Sequence, residues 1–488
     1  MWWLSRMFRK ADRNESNRPA PVFFTNTIGG NKELFIPQKP GTVSMYSCGP
    51  TMYGPAHIGN LRSYVFSDTA ARTLIAAEYR VNRVINITDF GHLVSDGDEG
   101  EDKMTKGLRR EGLPLTLKNM RTLAERYTAG FLDDLSDLDI DTEHITFPRA
   151  SDYIQEQIAL IKTLEQKSYA YRTSNGVYFD TSRFPGYGKL GGINLDNQKT
   201  SSRLKLTDEK RNPSDFVLWK SDTKLGWESP WGLGFPGWHI ECSAMIRSLL
   251  GQEIDIHTGG EDHIAVHHNN EIAQSEAASG RKFVHYWMHN AFLTMGGEKA
   301  SKSLGNVVYL SDLREKGFHP LALRYFFLQA HYRTPLSFSW DALSAAASAL
   351  DRLWKISREI AQESKRVGEP SEALNRFLAT MRDDLATPQA LSVIWDSIRS
   401  EDLTPEEKYG LIEAADAHLG LSLINPQIVE TLTGANIPEN MRDLIARREA
   451  ARASKDFKEA DRIRADIERS GYRVDDDPEG PVLTPTTL

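Results

Sequence analysis

Cysteine is nearly missing: two residues in a chain of 488. Two thiols cannot staple a chain this long, which excludes a disulfide-framed scaffold and suits reduced thiols in the cytoplasm. Long apolar runs are lacking too. The N-terminal Met1-Trp2-Trp3-Leu4-Ser5-Arg6-Met7-Phe8-Arg9-Lys10 is apolar and basic, yet its run is too short for a secretory signal core or a membrane span. No other segment reads as transmembrane, so no membrane partner is expected. Positive charge is not in excess either. The formal net charge of -8 offers no global field for nucleic acid, so such contacts must come from local patches. No internal repeat is visible. What is present, 40% hydrophobic and 26% charged residues, fits a soluble globular chain with length for several domains and a large core.

The two cysteines stand where a metal would want them. Cys48 ends the apolar run Met45-Tyr46-Ser47-Cys48, and Cys242 lies in Pro236-Gly237-Trp238-His239-Ile240-Glu241-Cys242. His267 and Glu271 follow in His267-His268-Asn269-Asn270-Glu271, four apart and so on one face of a helix. Two thiolates, an imidazole and a carboxylate make a tetrahedral zinc set. Scattered ligands suit a site inside a fold rather than a compact clip. His268 points off the His267–Glu271 face and reads as a neighbour rather than a ligand.

Along the chain, residues 11–30 are polar, with Pro19 and Pro21, and read as a flexible lead-in. Thr42 to Cys48 reads as a buried strand, a Gly/Pro-rich loop follows, and His57-Ile58-Gly59-Asn60 opens a helix. Val81 to Ile87 is a second strand, so a parallel α/β sheet begins here. Residues 90–170 turn charged and helical. Tyr169 to Ser182 reads as a hairpin around Asn175-Gly176. The α/β pattern resumes near Asp215. After about residue 320 no strand pattern persists, and helices are expected over Ala322–Ala330, Ala342–Glu363, Glu372–Ala386, Pro388–Arg399, Pro405–Ala417 and Met441–Arg469. The tail Asp475-Asp476-Asp477-Pro478 reads as loose.

Two motifs stand out in the chain. His57-Ile58-Gly59-Asn60 sits at a helix start after the first strand. Lys299-Ala300-Ser301-Lys302-Ser303, preceded by Gly296-Gly297-Glu298, is a cationic loop suited to following charge on a triphosphate. In this order they resemble the two ATP-binding motifs of class I aminoacyl-tRNA synthetases, with Asn60 in place of a second His and Ala300 in place of a Met. The resemblance narrows to cysteinyl-tRNA synthetase on Cys48-Gly49-Pro50-Thr51, Asn86-Ile87-Thr88-Asp89, the Pro236–Cys242 segment, Gly259-Gly260-Glu261-Asp262 and His267-His268-Asn269-Asn270-Glu271. It continues through Leu323-Arg324-Tyr325, Ala330-His331-Tyr332 and Asp383-Asp384 to Lys455-Asp456-Phe457-Lys458, covering nearly the whole chain beyond residue 22.

That resemblance implies an α/β Rossmann-like class I catalytic core with an insertion, then an all-α bundle and a small C-terminal anticodon-binding domain. The implied division is a lead-in at 1–22, core halves at 23–125 and 215–295, and a connective insertion at 126–214. A loop and stem-contact region at 296–341, a bundle at 342–425 and an anticodon-binding region at 426–488 complete it. The implied zinc ligands are Cys48, Cys242, His267 and Glu271. The implied amino-acid pocket is Cys48, Thr88, Trp238 and Asp262. ATP falls to His57, Gly59, Asn60, Gly260, Lys299, Ser301 and Lys302, of which His57, Asn60, Lys299 and Lys302 are the catalytic group, with Mg²⁺ accompanying ATP. The implied partners are L-cysteine, ATP and the cysteine tRNA, and a cytoplasmic monomer is expected. Anticodon reading is expected from Arg442, Arg447, Arg448, Arg452, Lys455, Lys458, Arg462, Arg464 and Arg469. Two other readings remain at this stage: a ligase of cysteine to an amino-sugar, which lacks a full anticodon end, and a non-catalytic RNA-binding paralogue.

Overall fold

The computed structural model describes residues 19–91, 103–192, 210–296, 298–299, 307–425, 437–477 and 480–485. Its centre is a five-stranded parallel sheet. The strands are β1 (Thr42–Ser47), β2 (Arg80–Ile85), β3 (Ile145–Thr146), β4 (Ile254–Gly260) and β5 (Val284–Asn290), in spatial order β5-β4-β1-β2-β3. The chain therefore runs outward from β1 to β3, then returns to the other side of β1 through β4. That reversal between β1 and β4 opens a crevice at their carboxyl ends, the usual ligand position in such sheets. β4 is buried along nearly its whole length, as a strand covered on both faces must be.

Helix α1 (Ile58–Ala76) joins β1 to β2, α2 (Trp238–Leu249) leads into β4, and α3 (Asn269–Ser279) joins β4 to β5. Between β3 and α2 lies an antiparallel sheet of four short strands, Ala170–Thr173, Gly176–Phe179, Phe216–Ser221 and Gly234–Pro236, which includes the expected hairpin. Helices α4 (Pro320–Leu328), α5 (Trp340–Glu363), α6 (Glu372–Arg382), α7 (Thr387–Arg399) and α8 (Pro405–Leu419) follow. Ser339, Ser371 and Thr404 cap α5, α6 and α8 with side-chain oxygens. Helices α9 (Glu439–Ala453) and α10 (Phe457–Arg469) pack with a terminal hairpin, Tyr472–Asp477 and Gly480–Pro485, around a small core of their own.

Four expectations change. Strand structure does persist past residue 320, because Leu336–Phe338 pairs in parallel with Leu293–Met295 and the chain ends in the hairpin. The three-residue strand Leu336–Phe338 is too short to show a period, and the Asp475-Asp476-Asp477 run hides the first hairpin strand because acidic residues are depleted in strands. The acidic tail is not loose up to Asp477: it is the first hairpin strand, and Asp476 accepts from Arg448 and Arg452. The expected helix over Met441–Arg469 is two helices, broken where Lys455 adopts a left-handed φ of 61°. The lead-in is packed from Val22 onward, with Val22 and Phe24 fully buried and Phe23–Thr25 paired to Lys32–Leu34.

Candidate active site

Cys48 directly follows β1, and its backbone N–H donates to Thr258 O of β4 at 3.2 Å, placing its thiol in the crevice. Cys242 comes from α2. Residues 264–268 make a wide π turn that runs into α3, so His267 and Glu271 straddle the join. Their separation still brings His267 Nε2 to 2.9 Å from Glu271 Oε1. The donor atoms of Cys48, Cys242, His267 and Glu271 all lie within 4.8 Å of one another, and all four residues are buried at those atoms. Two sulfurs, one nitrogen and one oxygen at this spacing fit zinc, whose ligand bonds are about 2.0–2.3 Å.

Neighbouring side chains occupy the second atom of the histidine and the glutamate. His239 Nδ1 lies 2.9 Å from His267 Nδ1, which leaves Nε2 facing the set. His257 Nε2 lies 3.0 Å from Glu271 Oε2, which leaves Oε1 facing it. His268 Nε2 lies 3.2 Å from Cys48 Sγ, and its Nδ1 lies 2.7 Å from His289 Nε2. His268 is thus nearer the centre than its helical phase suggests, and a second possible set, Cys48, His257, His268 and Glu271, overlaps the first. Burial pushes the Glu271 carboxyl up, but His257 and His267 outweigh it and hold it near about 2. Burial pulls the His267 imidazole down, but Glu271 and Cys242 hold it up at about 10. A hydrogen bond from Cys48 outweighs burial to lower the Cys242 thiol to about 7, while burial and Cys242 push the Cys48 thiol well up. A buried carboxylate held ionised by the groups that face it is a place where a divalent cation can supply the same compensation.

The residues expected to form the amino-acid pocket come from α2, the loop after β2 and the turn after β4. Trp238, first residue of α2, stacks on the His267 ring with centroids 4.4 Å apart. Thr88 Oγ1 donates to Glu241 Oε2 at 2.9 Å, and Glu241 is fully buried. Asp262 stands at the crevice mouth in the turn Glu261–His263 after β4. Two glycines permit the close approaches. A Cβ on Gly49 would sit 1.5 Å from Asn86 O, and one on Gly259 would sit 2.7 Å from both His263 Nδ1 and His268 Cε1. Gly260 follows, where a Cβ would crowd Asp262 Oδ1 at 2.4 Å.

His57 is the N-cap of α1. Asn60 N donates to His57 Nδ1 at 3.3 Å, and Asn60 Oδ1 accepts from His57 N at 3.2 Å, a reciprocal capping box. The Asn that replaces a second His therefore closes the helix start, with Gly59 between them. Ile58 N donates to Val308 O at 2.9 Å and His57 bridges Tyr309, so the chain leaving the cationic loop returns to the first motif. The Lys299 backbone pairs with Thr294. Ser301 and Lys302 lie outside the described residues. Sequence reasoning missed His239, His257, His289 and Glu241 as individual partners. His239 and Glu241 were inside a quoted motif, but a histidine in an apolar strand such as β4 carries no cue of its own.

Residues 34–348 match the model of the tRNA synthetases class I (C) catalytic domain, and residues 435–480 match the cysteinyl-tRNA ligase anticodon binding domain. The chain is 46% identical over 472 residues to cysteine–tRNA ligase 1 of Burkholderia lata, covering 94% of this chain and 96% of that one. It is 41% identical over 482 residues to the cysteine–tRNA ligase of Treponema denticola, covering 92% and 97%. In fold it is similar to methionyl-tRNA synthetase of Mycobacterium tuberculosis in complex with methionyl-adenylate, with a TM-score of 0.53 and 17% identity over 79% of this chain and 92% of that one. The match at 435–480 removes the ground for an amino-sugar ligase without an anticodon end. With a crevice at the β1/β4 reversal, two phosphate motifs and matches along nearly its full length, the chain belongs to the cysteine–tRNA ligases of the class I aminoacyl-tRNA synthetases.

Proposed function

We propose that this enzyme activates L-cysteine with ATP, giving cysteinyl-adenylate and pyrophosphate, and then passes the cysteinyl group to the terminal ribose of the cysteine tRNA, through the following residues. Cys48, Cys242, His267 and Glu271 would hold one Zn²⁺. The ion would bind the substrate sulfur as a thiolate and reject serine, whose hydroxyl is a harder and far less acidic ligand. The observation that carries this reading is that both cysteines of the chain converge with His267 and Glu271 at the sheet's reversal point. Trp238, Thr88 and Asp262 would frame the rest of the amino acid.

The reaction needs no protein nucleophile, because the cysteine carboxylate itself attacks the α-phosphate. The residues position and neutralise instead. His57, Gly59 and Asn60 present a helix start to phosphate. Gly260 would let the nucleotide approach β4 closely. Lys299, Ser301 and Lys302 would follow charge as it develops on the leaving pyrophosphate, with Mg²⁺ bound to ATP. The enzyme would work as a monomer in the cytoplasm, where its two thiols would stay reduced. The test is metal analysis and cysteine-dependent pyrophosphate exchange on Cys242→Ser. The expected outcome is loss of stoichiometric zinc and a fall of about 100-fold or more in cysteine-dependent exchange. Full zinc and normal cysteine affinity would remove the assignment.

A further inference from the structure

Arg62 lies on α1, five residues after His57, and is 2% exposed. Its guanidinium donates to three backbone carbonyls on two separate segments. Nη1 reaches Ala291 O at 2.8 Å and Phe292 O at 2.7 Å, and Nη2 reaches Thr334 O at 2.7 Å. Ala291–Phe292 joins β5 to Leu293–Met295, the strand whose partner, Glu298–Lys299, carries the first lysine of the cationic loop. Thr334 precedes Leu336–Phe338, the strand on the other side of Leu293–Met295.

The Ala291–Phe292 peptides are gripped at every polar backbone atom. Ala291 N donates to Tyr332 O at 2.9 Å, and Phe292 N donates to Glu261 Oε1 at 2.8 Å. Ala291 O and Phe292 O take the Arg62 bonds, and Phe292 O also accepts from Leu336 N at 3.1 Å. Glu261 neighbours Gly260 and Asp262 of the crevice, and its carboxylate is the charge that faces Arg62. The connector is thus held from the crevice by Glu261 and from the first phosphate motif's own helix by Arg62.

We propose that Arg62 is a positioning residue for adenylate formation: it fixes the root of the strand pair bearing Lys299 to the helix that begins at His57. Five residues span about 7.5 Å of a rigid helix, so His57 and the root move as one body. Only a planar fork reaches three carbonyls on two segments, whereas an ammonium is a single point charge. A shift of about 1 Å between groups that act on one phosphate costs about 100-fold in rate. The inference rests on Lys299 serving the phosphate chemistry. A wild-type protein without cysteine-dependent pyrophosphate exchange would defeat that reading rather than this one.

The test compares wild type with Arg62→Lys, which keeps the charge, and Arg62→Gln, which sheds it and keeps one donor nitrogen. Zinc content, KM for cysteine, kcat of pyrophosphate exchange and single-turnover transfer from preformed cysteinyl-adenylate to tRNA are measured on each. For whichever variant folds, the expected result is unchanged zinc, KM for cysteine within about twofold, exchange kcat down at least about 30-fold and transfer within about threefold. In a Lys299→Ala background the same replacement should cost at least about threefold less than in the wild type, because part of what a displaced root does acts through Lys299. Equal loss of zinc, activation and transfer would assign Arg62 a merely structural role and overturn the proposal. So would full exchange activity with a lowered melting temperature, or additivity with Lys299→Ala.

Discussion

Glu413 shows how far a single side chain can depart from its expected state. It lies on α8, 7% exposed, and its Oε2 has no hydrogen-bond partner. Burial pushes its carboxyl up to about 7. In the unfolded chain a glutamate titrates near about 4.3. The folded state therefore binds more protons between those values, so stability is complete below about 4.3 and falls as pH rises through about 7. Glu413→Gln cannot ionise. It should melt about 2 °C or more above the parent at pH 8, with the gap closing by about pH 4.5; scanning calorimetry across that range checks it, and a constant gap would contradict it. Residues of the metal set were legible because cysteine is scarce and His267 and Glu271 are spaced for a helix. The partners of that set, His257 above all, were not, because their role depends on which strand β4 lies beside.

Among the elements, α9 and α10 revise the reading of the C-terminal cations. Arg448 forms a bidentate pair with Asp476 at 2.8 and 3.0 Å and is 5% exposed at its side chain. Arg447 and Arg462 meet Glu459, Arg464 meets Glu468, Arg469 meets Asp466, Arg452 meets Asp476, and Arg442 donates to Ile437 O. Charges used inside the domain are poor counterions for phosphate. Among the described residues, Lys455 and Lys458 have no such pair, and Phe457 between them is 64% exposed. An exposed aromatic ring flanked by cations is a surface on which an unpaired base stacks. Replacing Lys455, Phe457 and Lys458 together by alanine should weaken tRNA binding about tenfold or more and flatten its salt dependence. Neutralising Arg462 and Arg464 should change either by less than about twofold. Filter binding over a salt series separates the two, and a larger effect from the paired arginines would restore the original reading. Composition revealed the basic density of this segment, but not the pairs of Arg448 and Arg452 with Asp476, which need the helices and the hairpin folded against each other; the pairs of Arg462, Arg464 and Arg469 lie three or four residues apart within α10.

At the scale of the whole molecule, one buried carboxylate ties the catalytic sheet to the bundle. Asp68 of α1 accepts from Arg72 at 2.7 Å, Arg83 at 2.8 Å and Arg324 at 2.7 Å. Arg324, fully buried on α4, also donates to Leu138 O and Leu419 O, both at 2.6 Å. The opposing guanidinium charges outweigh burial and hold the Asp68 carboxyl well below the usual carboxylate range. Removing one partner of such a network leaves polar groups buried without mates. Arg324→Met should cost about 3 kcal/mol or more and lower the urea midpoint. Hydrogen exchange should show added opening in both α1 and α8. Loss confined to the bundle would mean the network does not couple the two.

The sequence by itself determined the chemistry: which residue types are available, the α/β start, the run of helices after it, and the phosphate and metal motifs. These depend on local spacing and on the scarcity of cysteine, which are properties of the chain. Only the tertiary structure decided which atoms face the metal set, that Arg62 and Glu261 grip one connector, and that Arg448 and Arg452 are held by Asp476. Each of these depends on segments tens to hundreds of residues apart, brought within about 3 Å by the reversal of the sheet and the packing of helices around it. No local pattern records such a distance.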